Sequence, residues 1–135
     1  MIDPDTPIHP PIVLAVVTSA EGTLITRRHD GVPLWGFPGG ESEPGESPAA
    51  SAIRETKEET GLEIKASHVI GERDHPKTGR HMIYVAARPF QGTDVFIGDP
   101  AELAAVEWAG YDTAIERLTG LFSPVREHLA RTLKP

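Results

Sequence analysis

The chain contains no cysteine. It can therefore form neither a disulfide bond nor a metal site built on thiolates. Disulfides are typical of secreted proteins, and small secreted domains commonly depend on them. Their absence fits a protein of the cytoplasm, and we expect that location for this chain.

Long apolar runs are also missing, since no stretch approaches the roughly 20 apolar residues that a transmembrane helix requires. The first ten residues, MIDPDTPIHP, lack the basic region and the apolar segment of a signal peptide. We expect residues 1–10 to form an extended lead-in, stiffened by proline, to a single domain that spans residues 1–135. We expect no membrane partner.

The chain has no excess of basic residues: 13 Lys and Arg stand against 20 Asp and Glu, for a formal net charge of −7. Proteins that bind duplex nucleic acid normally present a basic surface, so we expect no nucleic-acid partner. A small nucleotide substrate remains compatible with this charge, because a bound metal ion can supply positive charge where phosphates bind.

The sequence does contain the start and stop signals of one well-defined helix. Ser47 is a good N-cap, Pro48 suits the first helical position, and Gly61 suits the position after the last turn. These signals predict a helix over residues 48–60. Its candidates for burial form a face of mostly small side chains: Ala49, Ala52, Ile53, Thr56 and Thr60.

An acidic cluster lies on this predicted helix. At 100° per residue, Glu55, Glu58 and Glu59 fall within an arc of about 100°. The three carboxylates repel one another in the C-terminal half of the helix, where the helix dipole disfavours negative charge. One interpretation is a solvated acidic face, partly neutralised by Arg54. The other is a site for a divalent cation with oxygen ligands.

The segment from residue 40 to residue 62 resembles the Nudix box, whose pattern is G-x5-E-x7-R-E-U-x-E-E-x-G-U, where U is a bulky apolar residue. The matching positions are Gly40, Glu46, Arg54, Glu55, Glu58, Glu59, Gly61 and Leu62. One position departs from the pattern, because Thr56 stands where an aliphatic residue is usual. Threonine keeps the β-branched shape, and its hydroxyl can bond back to a carbonyl of the preceding turn.

The resemblance implies an α+β fold of the Nudix type, an α/β/α sandwich in which a mixed sheet lies between helices and the box forms a loop–helix–loop. It also implies a metal-dependent hydrolase. Glu55 and Glu59 would be the core metal ligands, with Glu58 contributing to the same cluster and the Gly40 carbonyl completing the set. Mg²⁺ is the first choice of ion and Mn²⁺ the second. Arg54 and Glu46 would orient the ligands.

Outside the box, many relatives carry an acidic residue shortly before a tryptophan, in a loop that faces the box. Here Glu102 precedes Trp108. We expect Glu102 to be the general base or an added metal ligand, with Asp99 as the reserve. The alternative is that Glu102 is an ordinary surface carboxylate.

Two arginines end a predicted strand, and the matching arginine in many relatives contacts phosphate or base. Adjacent residues on a strand point to opposite faces, so at most one of Arg27 and Arg28 reaches the site, and we favour Arg28. The basic loop over residues 73–80 is a candidate specificity element. We expect all six histidines of the chain to lie at the surface or in loops.

The remaining elements follow from apolar or β-branched runs and the turn signals between them. Strands are predicted at about residues 11–17, 23–27, 63–73, 81–88 and 105–109. The first of them is apolar throughout, which predicts burial on both faces. Ser123 and Pro124 repeat the helix-start signal, and Val125, Leu129 and Leu133 form the apolar stripe of a C-terminal helix.

The leading hypothesis is a metal-dependent pyrophosphohydrolase. Its substrate would be a nucleoside triphosphate, oxidised or not, cleaved to the monophosphate and pyrophosphate. The first alternative is a pyrophosphatase for ADP-ribose or a nucleotide sugar. The alternative of another class is a Nudix-fold sensor that binds nucleotide without catalysis, although such proteins tend to lose box glutamates. Dimers are common in the family, so a homodimer is possible.

Overall fold

The computed structural model describes residues 9–31 and 33–133, so all but the end of the predicted lead-in lies outside the described residues. Within them the chain forms seven strands and three helices. In chain order these are β1 (Ile12–Ser19), β2 (Gly22–Arg28), β3 (Trp35–Gly36), β4 (Gly39–Glu41), α1 (Pro48–Thr60), β5 (Ile64–Asp74), β6 (His81–Pro89), β7 (Leu103–Ala109), α2 (Tyr111–Arg117) and α3 (Ser123–Leu133).

The strands form one mixed sheet with the order β3-β2-β1-β6-β5. The pairing of β1 with β6 is parallel, and the pairings of β1 with β2 and of β5 with β6 are antiparallel. Short β4 pairs with the start of β1, and β7 pairs with β2. Strand β1 is therefore central in the sheet, and β4, which contains the first residue of the Nudix box, lies next to it.

Helices cover both faces of the sheet, as the α/β/α prediction requires. On β1, Val13, Ala15 and Val17 lie in one apolar cluster together with Ala52 of α1. Val16 lies in a second cluster with Val125 of α3 and with residues of α2. Because side chains alternate along a strand, a run that is apolar throughout supplies both layers of the core.

Helix α1 spans the predicted residues, and its caps are the predicted ones. The Ser47 hydroxyl accepts a hydrogen bond from the Ala50 N–H at 3.1 Å. Gly61 adopts a left-handed conformation with φ of 74°, and its N–H donates to the Lys57 carbonyl at 2.9 Å. Gly61 is needed there because a side chain at this φ is strained and a Cβ would lie 2.0 Å from the Phe96 ring.

The buried face of α1 differs in part from the prediction. Ala52, Thr56 and Thr60 are buried as expected, whereas Ala49 is exposed and Ile53 is 39% exposed. Ser51 is buried in addition, because its hydroxyl donates to a box carboxylate outside the helix. A helix that packs on a sheet buries only the narrow stripe of residues that faces the sheet. The sequence of the helix alone does not identify the exact residues of that stripe.

The hydroxyl of Thr56 does not bond back to the preceding turn. Its Oγ1 is fully buried and has no hydrogen-bond partner among the described residues. The back-bond forms one turn later, where the Thr60 hydroxyl donates to the Thr56 carbonyl at 2.7 Å. Thr60 Oγ1 also accepts from the Leu62 N–H at 3.2 Å. Of these two buried threonines, Thr60 therefore has a hydrogen-bonded hydroxyl and Thr56 does not.

Other elements extend or correct the predictions. Strands β3 and β4 and helix α2 were not predicted, because they are too short to show a clear apolar period. The expectation that every histidine lies at the surface or in a loop is wrong for His128, which is 8% exposed on α3. Burial there lowers the pKa of the His128 imidazole. Its ring lies edge-on to that of His68 on β5, with centroids 6.0 Å apart.

Replacing Thr56 with valine should stabilise the protein. Valine keeps the shape of threonine but removes a buried hydroxyl that lacks a partner, which typically costs about 1–3 kcal/mol. We expect Thr56→Val to raise the free energy of unfolding by about 1 kcal/mol, measured by urea unfolding.

Thr60→Val is the matched control, because the same substitution there removes a donor and leaves the Leu62 N–H without its acceptor. We expect it to lower stability by about 1 kcal/mol. Equal effects of the two substitutions would show that the Thr56 hydroxyl is satisfied in solution.

Candidate active site

The box begins where β4 pairs with β1, with Gly39 opposite Leu14 and Gly40 opposite Val13. A Cβ on Gly39 would lie 2.2 Å from the Val13 carbonyl oxygen. A Cβ on Gly40 would lie 2.8 Å from Oε1 of Glu55. Gly39 therefore permits the close pairing of β4 with β1, and Gly40 leaves room for the Glu55 carboxylate beside the β4 backbone.

The Glu59 side chain points toward the place where α1 packs on β4, which we call the β4–α1 junction. The Gly39 N–H points at both of its carboxylate oxygens at 3.4 Å. Burial raises the pKa of Glu59 to about 8, with a further contribution from the Glu55 carboxylate and smaller ones from Glu102 and Asp99. Within the described residues Glu59 has no ion-pair partner. It is thus a half-buried acid to which the described residues offer no opposite charge.

Glu55 lies beside it on the same side of α1. Its side chain is 14% exposed, and burial raises its pKa, opposed by the neighbouring Arg54 guanidinium. The Arg54 Nη1 donates to Glu55 Oε1 at 3.0 Å. Positions 55 and 59 are separated by about 40° around a helix, so both carboxylates reach the β4 backbone.

Arg54 ties the helix to the loop that precedes it. Its Nε and Nη2 donate to the two carboxylate oxygens of Glu46 at 2.8 and 3.0 Å. Nη2 also donates to the Glu41 carbonyl at 3.2 Å. Glu46 accepts further from Ser51 Oγ at 2.5 Å and from the Glu43 N–H at 2.9 Å. The Arg54 guanidinium, above all, lowers the pKa of Glu46 to about 2.

Glu58 has a different environment from the other two helix glutamates. Its side chain is 58% exposed and pairs with Arg54 at 3.4 Å across one helical turn. The helical arc that suggested a three-carboxylate cluster therefore contains two inward carboxylates and one outward carboxylate. In residues 9–31 and 33–133, no group of three or more Asp, Glu or His side chains is arranged to hold a metal ion as it stands.

The donors at the β4–α1 junction nevertheless suit a hard divalent cation. Two carboxylates, Glu55 and Glu59, lie against the backbone of Gly39 and Gly40. Mg²⁺ commonly binds through one or two carboxylates and keeps several waters, so it does not need a cage made wholly of protein. An ion here would also offset the buried negative charge of Glu59.

A turn that carries Asp99 and Glu102 packs against the end of α1. The Gly98 N–H donates to the Glu59 carbonyl at 2.8 Å. The Asp99 carbonyl accepts from the N–H groups of Glu102 and Leu103 at 3.2 and 2.9 Å. The predicted residues Asp99 and Glu102 therefore closely follow a residue that is hydrogen-bonded to Glu59 of the box helix. We call residues 99–102 the acidic turn.

Sequence reasoning missed the residues that hold this turn. Gly98 approaches α1 so closely that a Cβ would lie 2.2 Å from the Glu58 carbonyl oxygen. The Trp108 indole N–H donates to the Thr93 carbonyl at 2.8 Å and fastens the segment that leads to the turn. A glycine next to an aspartate was the only local signal, and it equally indicates an ordinary loop.

Arg27 and Arg28 lie on opposite sides of β2. Alternation groups Arg28 with Leu24, whose cluster includes Ala52 of α1. Arg27 is grouped with Ile25 and is paired with Trp35 of β3, both in the cluster on the α3 side. Strand β2 also pairs with β7. The register of that pairing shifts between Arg27 and Arg28, where β7 contributes one extra residue. This arrangement favours Arg28, as the prediction did.

The basic loop belongs to the hairpin between β5 and β6, since β5 continues to Asp74. Arg73 points to the α3 side, with its guanidinium 5.0 Å from the Phe122 ring centroid. Arg80 Nη2 donates to the Pro10 carbonyl at 2.9 Å and pairs with Glu41 at 3.5 Å. Only the end of the loop thus reaches the edge of the box, and its role in specificity stays a prediction.

Comparison with known proteins assigns the chain to a family. The NUDIX domain matches residues 8–131, and the chain belongs to the Nudix family. It is accordingly a hydrolase that acts on phosphorus-containing anhydrides.

Individual relatives resemble the chain over different spans. It is 35% identical over 95 residues to a putative 8-oxo-dGTP diphosphatase of Bacillus subtilis, covering 69% of this chain and 60% of that protein. It is 27% identical to an RNA pyrophosphohydrolase of Cereibacter sphaeroides, covering 99% of this chain and 96% of that protein.

A solved structure confirms the fold. The MutT protein of Methanosarcina mazei Go1 superposes with a TM-score of 0.70, covering 96% of this chain and 100% of that one at 23% identity. At this identity the likeness shows the fold alone. None of the helices in the described part of the chain has the length and apolar character needed to cross a bilayer.

Glu59→Gln should separate a metal ligand from a structural carboxylate. In chelator we expect the variant to be more stable than the wild type by at least a few tenths of a kcal/mol, because it removes an acid whose ionisation is opposed by burial and by the Glu55 carboxylate. Its rise in melting temperature on adding Mg²⁺ should shrink, since that rise reports ion binding to the folded state. Thermal melts with and without Mg²⁺ measure both quantities.

Glu58→Gln is the matched comparison, because the same change there affects an exposed carboxylate. Its stability in chelator should change little. If Glu59→Gln instead destabilises the protein in chelator and keeps the full response to Mg²⁺, Glu59 is structural.

Proposed function

We propose that this chain is a pyrophosphohydrolase that cleaves a nucleoside triphosphate to the monophosphate and pyrophosphate in the presence of Mg²⁺ or Mn²⁺. One observation carries the proposal. Two half-buried carboxylates, Glu55 and Glu59, lie against the β4 backbone, and the segment that leads into the acidic turn is hydrogen-bonded to the end of their helix.

The metal would lie at the β4–α1 junction, held by Glu55, Glu59 and the Gly40 carbonyl, with Glu58 contributing. When bound, such an ion offsets phosphate charge and lowers the pKa of a coordinated water. The protein's own part is to keep the ligands in place. Arg54 does this by holding Glu55 on one side and Glu46 on the other.

The remaining roles fall to residues on two other elements. Glu102 is the proposed general base, which accepts a proton from the attacking water as it adds to the linkage between phosphates. Asp99 is the alternative for that role. Arg28 is the proposed phosphate or base contact, supported by its side of β2, and Arg27 is the less favoured candidate.

The choice of a triphosphate is supported by the similarity to the putative 8-oxo-dGTP diphosphatase of Bacillus subtilis. A nucleoside triphosphate, oxidised or not, is therefore the first substrate to test. The alternative is ADP-ribose or a nucleotide sugar. The non-catalytic sensor has less support, because every acidic position of the box is present and Glu55 and Glu59 are turned towards the β4 backbone.

The proposed partners and location follow from the same function. The substrate is a small nucleotide, and neither nucleic acid nor membrane is a proposed partner, in line with the net charge of −7. We further propose a cytoplasmic location. A homodimer is an open prediction that sedimentation velocity would test directly.

A substrate panel tests the proposed function. Nucleoside triphosphates, 8-oxo-dGTP, ADP-ribose, nucleotide sugars and triphosphate-ended RNA would be incubated with Mg²⁺ or Mn²⁺ and the products separated by chromatography. We expect pyrophosphate release from a nucleoside triphosphate, loss of turnover in excess chelator and recovery on adding either ion. Full turnover in chelator would contradict the proposal, and faster cleavage of ADP-ribose would favour the alternative.

The role of Glu102 has its own test. If Glu102 is the general base, Glu102→Gln should lower kcat by roughly 10²–10⁴-fold, the usual contribution of such a group. Asp99→Asn is the matched variant, since Asp99 lies on the same turn. Near-normal kcat for Glu102→Gln together with a large loss for Asp99→Asn would transfer the role to Asp99.

A further inference from the structure

We propose that His29 is a positioning residue that holds the acidic turn, and with it Glu102, at a set place relative to the box helix. The inference rests on the proposed function, because it concerns the placement of the proposed base. It is carried by two hydrogen bonds between the end of β2 and residues 99–102, both of which involve His29.

The first contact comes from the side chain. His29 Nε2 lies 2.8 Å from the Pro100 carbonyl oxygen. A carbonyl oxygen can only accept a hydrogen bond, so His29 Nε2 must carry a proton and donate. Both the neutral ring protonated at Nε2 and the charged ring meet this requirement. The ring therefore joins two segments that are 71 residues apart in sequence.

The second contact comes from the backbone. The His29 N–H donates to the Glu102 carbonyl at 3.1 Å, directly after the pairing of Arg28 with Leu103. The residue that precedes β7 is thus held by the residue that follows β2. This bond fixes the chain at Glu102, and the ring fixes it two residues earlier at Pro100.

The opposite end of the turn is attached to α1. Gly98 donates to the Glu59 carbonyl at 2.8 Å, and its missing Cβ permits that approach. Phe96 donates in the same way to the Thr60 carbonyl at 3.0 Å. The acidic turn is consequently held at two points, by the box helix on one side and by His29 on the other.

The side-chain bond is the part that a substitution can remove without breaking the sheet. Without it, the turn keeps its attachment to α1 but loses its attachment at Pro100. A small displacement of a catalytic group can cost up to about 10²-fold in rate, because reaction requires a near-attack geometry. We expect His29→Ala to lower kcat about tenfold with little change in KM, since metal and phosphate binding depend on other residues.

Three variants test this inference. His29→Ala removes the ring donor, and His29→Gln places an amide N–H that can reach the same carbonyl, so it should restore most of the lost kcat. His68→Ala is the matched control, because His68 is an exposed histidine on β5 whose hydrogen bond is to neighbouring Ser67. We expect that control to leave kcat unchanged.

A double-mutant cycle distinguishes positioning from a general loss of structure. If His29 acts through Glu102, His29→Ala should have almost no further effect on kcat in the Glu102→Gln background. A general structural defect would instead lower kcat by the same factor in both backgrounds. That additive result, or a wild-type kcat for His29→Ala, would overturn the inference.

Amide hydrogen exchange provides a readout that does not depend on activity. In His29→Ala the N–H groups of Glu102 and Leu103, which bond to the Asp99 carbonyl, should exchange faster than in the wild type. His68→Ala should leave them unchanged. If the chain hydrolyses none of the substrates, the proposed function fails, and the exchange rates alone decide whether His29 holds the turn.

Discussion

Arg54 holds the Nudix box together by binding groups on both sides of the loop–helix boundary. Its guanidinium contacts Glu46 in the loop, the Glu41 carbonyl at the end of β4, and Glu55 on the helix. The bidentate, charge-assisted pair between Arg54 and Glu46 fixes the orientation of the two side chains as well as the distance between them. The position of Glu55 against β4, and with it the shape of the site, depends on this one side chain.

The second constraint is close approach of backbone to carboxylate. Gly39 lets β4 pair closely with β1, and Gly40 leaves room for the Glu55 carboxylate. Glu59 is half-buried beside the Gly39 N–H. Burial raises the pKa of Glu59, because it disfavours the ionised carboxylate. Under the proposed function, a bound cation would offset the charge of the ionised carboxylate.

Thr56 is a second position on α1 where a polar group is buried without a partner among the described residues. The family pattern has an aliphatic residue at this position, and the threonine here keeps the shape while adding a hydroxyl without a partner. Its neighbour Thr60 uses the Thr56 carbonyl instead.

The helix boundaries and the acidic positions of the box could be predicted from the sequence alone, because capping and helical spacing are local properties. Tertiary structure decided which carboxylates turn inward: Glu58 and Glu59 are adjacent, yet only Glu59 meets β4. It also decided that His29 meets the acidic turn, since contacts across 71 residues depend on strand pairing and leave no local pattern.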